Sequence, residues 1–500
     1  MADKLTRLKS ILAEQRDISL AIALADWDKQ ANMPPGGAKE RSWQSATLTA
    51  LAHQRFTSPE VGQLLEDLQS SAVSLDPDSD DARLLKSTAR DYARRVKVPV
   101  EFEAEFAQVT SAAHTVWVKA RAEEDFASFL PSLRRIFELR RTYAGFFAPY
   151  DHIYDPLLED FEPGMKTAEV QKLFEWLRPR QVALIQAIAN RPPIDDSFLF
   201  GHFDPQKQWD FGVEVLKRMG FDFNRGRQDF SAHPFTTSFG IGDVRITTHI
   251  DPHSLGSGFF STVHEGGHAL YNQGFFPGLA HTPLAEGASL AIHESQSRLW
   301  ENLVARSRDF WVYYYPRLQI VFPSQLGSVS LDEFYRGINR VERSPVRVEA
   351  DEATYNLHVM LRLELEIALI EGKLDPSDLP EAWNQAMRDY LGITPAALSK
   401  GVLQDVHWSG GTIGYFPTYA LGNLISAQLW EKINQAIPDL PDQFRRGEFG
   451  ALLEWLRGSI HRHGAKFEPQ ELVQRVTGST ITPEPYMRYL ETKFGQIYSL

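Results

Sequence analysis

The sequence predicts a mainly α-helical protein with one small β-sheet near its middle. Three observations carry this. Apolar residues recur at helical spacing through the first two hundred positions. Around residue 230 the texture changes to Thr, Val, Ile and Phe with Gly turns. Helical periodicity then resumes at Phe259 and persists through most of the remainder.

Taken in order, Ile11, Leu12, Ile18, Ala21, Ile22 and Ala25 mark a first helix. The run Met33-Pro-Pro-Gly-Gly37 stops it, because Pro and Gly both disfavour helix continuation. A second helix follows through Leu48, Leu51 and Ala52, and Ser71 to Asp81 reads as a polar loop, the nearest thing to a boundary. Asp80 to Ala148 is charged and helical, with breaks expected near Pro99 and Pro131. Phe235 to Ile250 reads as two or three short strands. No solenoid period or low-complexity linker divides the chain.

Composition narrows the function. A length of 500 residues suggests about three domains on a soft prior. Lys plus Arg number 52 against 65 Asp plus Glu, a net charge of −13 that argues against gripping nucleic acid or anionic membrane. Apolar residues at 43% and charged residues at 23% are ordinary for a soluble globular protein. The chain has no cysteine, which removes disulfides, thiolate nucleophiles and Cys-ligated zinc and fits a reducing compartment. The apolar run Ile18 to Ala25 is far short of a membrane span, and MADKLTRLKS lacks the apolar core of a secretion signal. A soluble cytoplasmic protein is the expectation.

Nine of the fifteen histidines lie between His233 and His407. Among them, His264-Glu265-Gly266-Gly267-His268 forms an H-E-x-x-H motif, for which chance predicts about 0.03 matches in a chain of this composition. On a helix the i,i+4 spacing places both imidazoles on one face, where they can share a metal ion. Glu265 projects about 100° around, where a carboxylate can take a proton from a water that zinc has polarised. Gly266 and Gly267 each cost about 1 kcal/mol in a helix interior, which close packing against a neighbour or substrate would explain.

A catalytic zinc needs three protein ligands and one open position. Without cysteine the third is His, Asp or Glu, and the best candidate is Glu294 in His293-Glu294-Ser295-Gln296. Leu284 to Arg306 reads as a second amphipathic helix with Ile292, Leu299, Trp300 and Leu303 as core, after a loop carrying Gly274, Pro277, Gly278 and Pro283. His293 is the alternative ligand, pointing about 100° away. Ser297, Arg298 and Glu301 share the face of Glu294 and are candidate supports for it.

These motifs resemble the thermostable carboxypeptidase (carboxypeptidase Taq) family of metallopeptidases. Further short motifs of that family occur in order: His233-Pro-Phe235, Asp243-Val-Arg-Ile-Thr247, Val346-Arg-Val-Glu-Ala-Asp351 and Gly401-Val-Leu-Gln-Asp-Val-His-Trp408. Trp27-Asp28, Met33-Pro34 and Gly414-Tyr-Phe-Pro-Thr-Tyr419 extend the likeness over essentially the whole chain.

The resemblance implies an almost entirely helical, two-lobed fold with a deep central cleft, neurolysin-like in shape, with the small sheet near the active site. It implies stepwise release of C-terminal amino acids with broad specificity, poor on terminal proline. It also implies zinc or sometimes cobalt, and a homodimer. His264, His268 and Glu294 carry over as ligands and Glu265 as the catalytic acid/base. The chain is then one peptidase unit over 1–500. Residues 1–80 are expected to cover the cleft and 81–500 to form the helical body with the zinc site.

An enzyme acting at a C-terminus must hold a free carboxylate, best with an arginine making paired hydrogen bonds. Arg245 and Arg347 are the candidates, each with a competing role in a salt bridge to Asp243, Glu349 or Asp351. His233 is expected to contact substrate backbone or cap the sheet. Donors for the developing oxyanion are expected from His407, Tyr415 and Tyr419, with Tyr355 and His358 as further candidates. Gly410, Gly411 and Gly414 would let that stretch act as a mobile loop. Trp408 and Phe416 are expected in the core. The rival readings are a metallo-oligopeptidase cutting within short peptides and an inactive helical scaffold.

Overall fold

The structure is a computed structural model, described over residues 2–72 and 74–500. Six helices open the chain: α1 (Ala2–Ala31), α2 (Ala38–Phe56), α3 (Pro59–Ala72), α4 (Asp80–Arg95), α5 (Val100–Glu123) and α6 (Phe126–Gly145). On α1 the buried stripe is Leu5, Leu8, Ile11 and Leu12. It packs on Val61, Leu64 and Leu68 of α3 and on Leu84 and Leu85 of α4, making a small core of its own. That core also takes in Leu279, Leu284 and Ala285, so the N-terminal helices seat directly on the loop between the two helices of the metal site.

Several expectations change here. Ala21 is exposed, and Ile18, Ile22 and Ala25 are only half-buried, because this half of α1 faces a cleft. Leu51, expected inside, is also exposed. The polar link before α4 ends at Ser79, whose hydroxyl accepts from Ala82 N and caps the helix; residue 73 of the expected loop lies outside the described residues. Pro99 does separate α4 from α5, but α6 runs straight through Pro131. The break falls instead at Glu124, with φ 55, and at Asp125, whose carboxylate caps Ser128 N. An N-cap and the buried stripe Phe129, Leu133, Ile136 and Phe137 outweigh the hydrogen bond lost at one proline.

The body continues with α7 (Asp155–Glu159), α8 (Thr167–Ala189) and α9 (Pro205–Met219) before the sheet. Strands β1 (Gly226–Phe230), β2 (Thr236–Ser238) and β3 (Val244–Thr248) lie in the order β1-β3-β2, parallel and then antiparallel. Two of the three fall in the expected window, and β1 precedes it. Val244 and Ile246 of the central strand are buried against α10 (Leu255–Gln273), and α11 (Leu290–Arg298) packs on α10.

The remaining helices are α12 (Arg308–Val321), α13 (Pro323–Leu326), α14 (Leu331–Ile338), α15 (Tyr355–Ile370), α16 (Leu379–Leu391), α17 (Pro417–Ala436), α18 (Leu440–Arg445), α19 (Gly450–Ser459), α20 (Pro469–Thr477) and α21 (Glu484–Tyr498). One contiguous core, from Ala113 on α5 to Tyr498 on α21, joins them all. The described residues thus share one large core, with a second, small core at the N-terminal helices.

A cavity of about 1080 Å³ opens between the two parts, lined by Gln15 and Ser19 of α1, Arg90 of α4, Phe106 of α5, and Ser289 and His293 beside the metal site. No helix among the described residues is long and apolar enough to cross a membrane.

Candidate active site

Phe259, Phe260, Val263, Leu270 and Tyr271 bury α10 on several sides, as their helical spacing predicts. The two glycines of the motif are explained by neighbours. A Cβ on Gly266 would lie 2.4 Å from Leu216 of α9, and one on Gly267 would lie 2.7 Å from the Gln296 carbonyl oxygen of α11. A larger residue at 267 would therefore push apart the two helices that carry the donor atoms.

His264, His268 and Glu294 bring one ligand atom each to within 4.8 Å of one another. Glu294 Oε2 is 3.5 Å from His264 Nε2 and 3.4 Å from His268 Nε2. Ligands tetrahedral about zinc at about 2.0–2.1 Å stand about 3.4 Å apart, so the donor set fits such an ion in chemistry and spacing. The helix bearing Glu294 begins at Leu290 rather than Leu284, because Ser289 caps it by accepting from Ile292 N. It widens into a π-helix over Leu299–Ala305, a rare geometry frequent at functional sites. Behind it, Gly422 of α17 lets that helix approach until a Cβ there would be 2.7 Å from the Glu294 side chain.

A second layer orients the donors. His264 Nδ1 lies 2.9 Å from Glu301 Oε2, and His268 Nδ1 lies 2.5 Å from His293 Nδ1. Both imidazoles thus turn Nε2 inward, and the outer partner sets the tautomer. His293 Nε2 lies 2.9 Å from Asn272 Oδ1, so His293 accepts from His268 and donates to Asn272. Burial, reinforced by His268, holds the His293 pKa well below its usual value and keeps the neutral form that accepting requires. His293, the alternative ligand by sequence, thus stands behind His268.

Arg298 Nε donates to Glu294 Oε1 at 2.7 Å, and Ser297 Oγ donates to Oε2 at 3.0 Å. Burial alone would raise the Glu294 carboxyl, but Arg298 and His264 outweigh it and hold the pKa well below the carboxylate range. Burial likewise opposes ionisation of Glu301, and Arg298 and His264 bring it down to about 2. For His264, burial favours the neutral ring, yet Glu294 and Glu301 push it up to about 10. Glu294 and Glu301 together therefore favour positive charge at His264. Glu265 is buried beside it, and Thr236 Oγ1 of β2 donates to Glu265 Oε2 at 2.6 Å. Nothing in the sequence marked Thr236, since only the β2–α10 contact brings it there.

The arginine candidates are both engaged. Arg245 donates from Nε and Nη2 to Asp243 at 2.9 and 2.8 Å, between the rings of Trp27 and Phe239. Arg347 is buried and donates from Nε and Nη2 to Asp405 Oδ1 at 3.0 and 2.9 Å and from Nη1 to the Tyr355 hydroxyl at 3.0 Å. Its partner is Asp405, not Glu349 or Asp351, and two of its five N–H groups have no hydrogen-bond partner among the described residues. Tyr355 connects this cation to the donor set, because its ring also carries Arg298 at 4.4 Å. Tyr419 stacks on Arg347 at 5.1 Å, one turn of α17 before Gly422.

His407 sits among Tyr415, Phe416 and Tyr419, with Nε2 3.5 Å from the Tyr419 hydroxyl. Burial, and then Arg347, lower its pKa to about 4, so it is neutral at neutral pH. Burial raises both Tyr415 and Tyr419, which therefore remain phenols. His358 is buried on α15, away from solvent, and Trp408 and Phe416 are in the core as expected. His233 is exposed in the β1–β2 loop, where its carbonyl accepts from Ser231 Oγ.

The chain is similar to known proteins along nearly its whole length. A family model described as Carboxypeptidase Taq (M32) metallopeptidase matches residues 7–494. Thermostable carboxypeptidase 1 of Thermus thermophilus is 44% identical over 488 residues, covering 95% of each chain. Carboxypeptidase 1 of Bacillus subtilis is 36% identical, covering 96% of each. The crystal structure of the M32 carboxypeptidase from Deinococcus radiodurans R1 superimposes with a TM-score of 0.97 at 39% identity over the full length of both. A helical scaffold without activity is thereby set aside: the chain belongs to the carboxypeptidase Taq (M32) family and is a metallocarboxypeptidase, a hydrolase of peptides.

Proposed function

We propose that the enzyme uses zinc to release C-terminal amino acids one at a time from peptides with a free C-terminus. Its specificity is broad, and it is slow where the terminal residue is proline. The observation that carries this reading is the convergence of two inward Nε2 atoms and Glu294 beside the buried Glu265 carboxylate. His264, His268 and Glu294 would hold the ion, and cobalt would suit the same donors. When bound, the ion supplies Lewis acidity that polarises the scissile carbonyl and makes water a better nucleophile near neutral pH.

Glu265 takes the proton of the attacking water and returns it to the leaving nitrogen, with Thr236 fixing its orientation. His407, Tyr415 and Tyr419 are neutral donors for the developing oxyanion and the peptide backbone. Arg347 is assigned the terminal carboxylate, because Tyr355 and Tyr419 tie it to the donor set and two of its N–H groups remain for substrate. Arg245 and His233, on the sheet side, are assigned contacts to the rest of the peptide.

Residues 1–80 are read as a cover on the cleft, since Gln15 and Ser19 line it and Arg16 pairs with Glu286 at 2.7 Å. Residues 81–500 form the body. A cytoplasmic homodimer is the setting proposed. Timed mass spectrometry of one free-acid peptide and its amidated twin tests the reading. A ladder shortened from the C-terminus, absent for the amide, is expected. Internal cuts in both would favour a metallo-oligopeptidase instead.

A further inference from the structure

Two residues of α15, one helical turn apart, grip the segment that carries His407. Arg362 is fully buried, donates from Nε to Asp405 Oδ2 at 2.7 Å and holds Nη2 in ion-pair contact with the same oxygen at 2.6 Å. Glu366 is also fully buried, and the reaction outlined above makes no use of it. Its carboxylate accepts three hydrogen bonds. Trp408 Nε1 donates to Oε1 at 2.7 Å, the Tyr154 hydroxyl to Oε2 at 2.6 Å, and Gly414 N to Oε2 at 3.1 Å.

The positions of those donors matter. Trp408 directly follows His407, and Gly414 directly precedes Tyr415. The carboxylate therefore spans the base of the turn 408–414 and holds both ends. The turn itself is packed tightly for a glycine-rich stretch. Gly411 (φ +67) lies against the Phe106 ring, and Gly414 (φ +98) lies so close to the Leu157 carbonyl oxygen that a Cβ would come within 2.4 Å. Phe161, just beyond α7, meets the Tyr415 ring edge to face with centroids 5.3 Å apart. The sequence suggested mobility at these glycines, and the structure uses them for close approach.

We propose that Glu366 is a positioning residue for catalysis, latching Trp408 and Gly414 so that His407 and Tyr415 are held in register with the metal donors. The inference rests on the roles proposed above for His407 and Tyr415. A carboxylate suits this task and an amide does not. Three donors face it, and glutamine would offer one acceptor oxygen and turn its NH2 group toward another donor. Aspartate would fall one methylene short. Burying a carboxyl group here is costly, and burial pushes this one up to about 7 even with three donors favouring the ionised form. Apolar packing alone would have filled the space at no such cost.

The test uses the full-length, zinc-loaded protein and one free-acid dipeptide substrate. Glu366→Gln is expected to lower kcat/KM by about tenfold or more, as a small misplacement of catalytic groups does, with bound zinc and chelator resistance unchanged. On a His407→Ala or Tyr415→Phe background the further loss should shrink to less than about threefold, because groups acting as a unit are not additive. If Glu366→Gln does not accumulate folded, Trp408→Phe removes a single donor from the latch and should show the same non-additivity.

Wild-type kcat/KM in Glu366→Gln, with His407→Ala impaired, would overturn the latch and leave the site reading standing. Fully multiplicative losses would also overturn it, as they would mark Glu366 as merely structural. Wild-type rates in both His407→Ala and Tyr415→Phe would remove the role of the segment and the latch together, with the metal centre untouched.

Discussion

The two walls of the site are built differently. The metal wall comes from neighbouring helices, α10 and α11, whose donors span only 30 residues from His264 to Glu294. Its charges are compensated within those helices and the π turn, through Arg298, Glu301 and Ser297. The facing wall is assembled from Arg347, Tyr355, Asp405, His407 and Tyr419, which come from segments spread over some seventy residues and meet only in the fold. There a single carboxylate, Asp405, answers two buried arginines. Burial opposes its ionisation, but Arg362 and Arg347 keep it charged well below the usual carboxylate range. On the roles proposed above the walls divide the labour: one would hold the ion and its base, and the other would recognise the peptide. Breaking the walls separately should therefore give separable defects.

The largest effect is expected at Glu265. Glu265→Gln should lower kcat by about 10²–10⁴-fold, the range for a lost general base, with metal content by atomic absorption unchanged. A variant within tenfold of wild type would remove Glu265 from the chemistry. Next is Glu301→Gln, on the metal wall but outside the donor set. It should weaken metal binding by about 10–100-fold in chelator competition, as lost outer partners of ligating histidines do. KM at saturating metal should stay near wild type. A large KM change with unaltered affinity would blur the division between the walls.

On the facing wall, Arg347→Lys keeps a charge but loses the paired geometry. KM for free-acid peptides should rise by about tenfold, equivalent to about 1.4 kcal/mol, without weakening the metal. The same change at Arg245 should do less. The reverse ranking would move the carboxylate anchor to the sheet. The smallest effect on turnover is expected from Gly267→Ala. The added Cβ, 2.7 Å from the Gln296 oxygen, should lower stability by about 1–3 kcal/mol, visible as a lower urea midpoint. Chelating the metal should then lower the midpoint of this variant less than that of wild type, because donors held apart bind the ion more weakly and it adds less stability. Equal shifts would show that the glycine does not govern how α10 and α11 meet.

The same contrast explains what could be read in advance. His264, His268 and the carboxylate between them follow from i,i+4 spacing, and Glu294 with its helpers Ser297, Arg298 and Glu301 from the face of one helix. Local periodicity also gave most of the helices and the two later strands. It failed where tertiary contacts override propensity. Pro131 does not end a helix, the second half of α1 faces a cleft, and the glycines at 411 and 414 serve packing. Thr236, Asn272, Arg362 and Glu366 went unmarked because each matters only through a partner 21 or more residues away. Asp405 stood inside a quoted motif, yet nothing local to it named Arg347 as its partner.

By itself, then, the sequence determined a helical body without thiols and a cluster of two histidines and a carboxylate that could hold a metal, with a second carboxylate beside it, because these depend on spacing within single helices. The tertiary structure alone decided which atoms of those residues face inward, which arginine is tied to the metal wall, and how a glycine-rich turn is held. Those outcomes depend on buried charges and donors finding partners across the fold, and that pairing is enforced by the cost of leaving them unsatisfied in a dry interior.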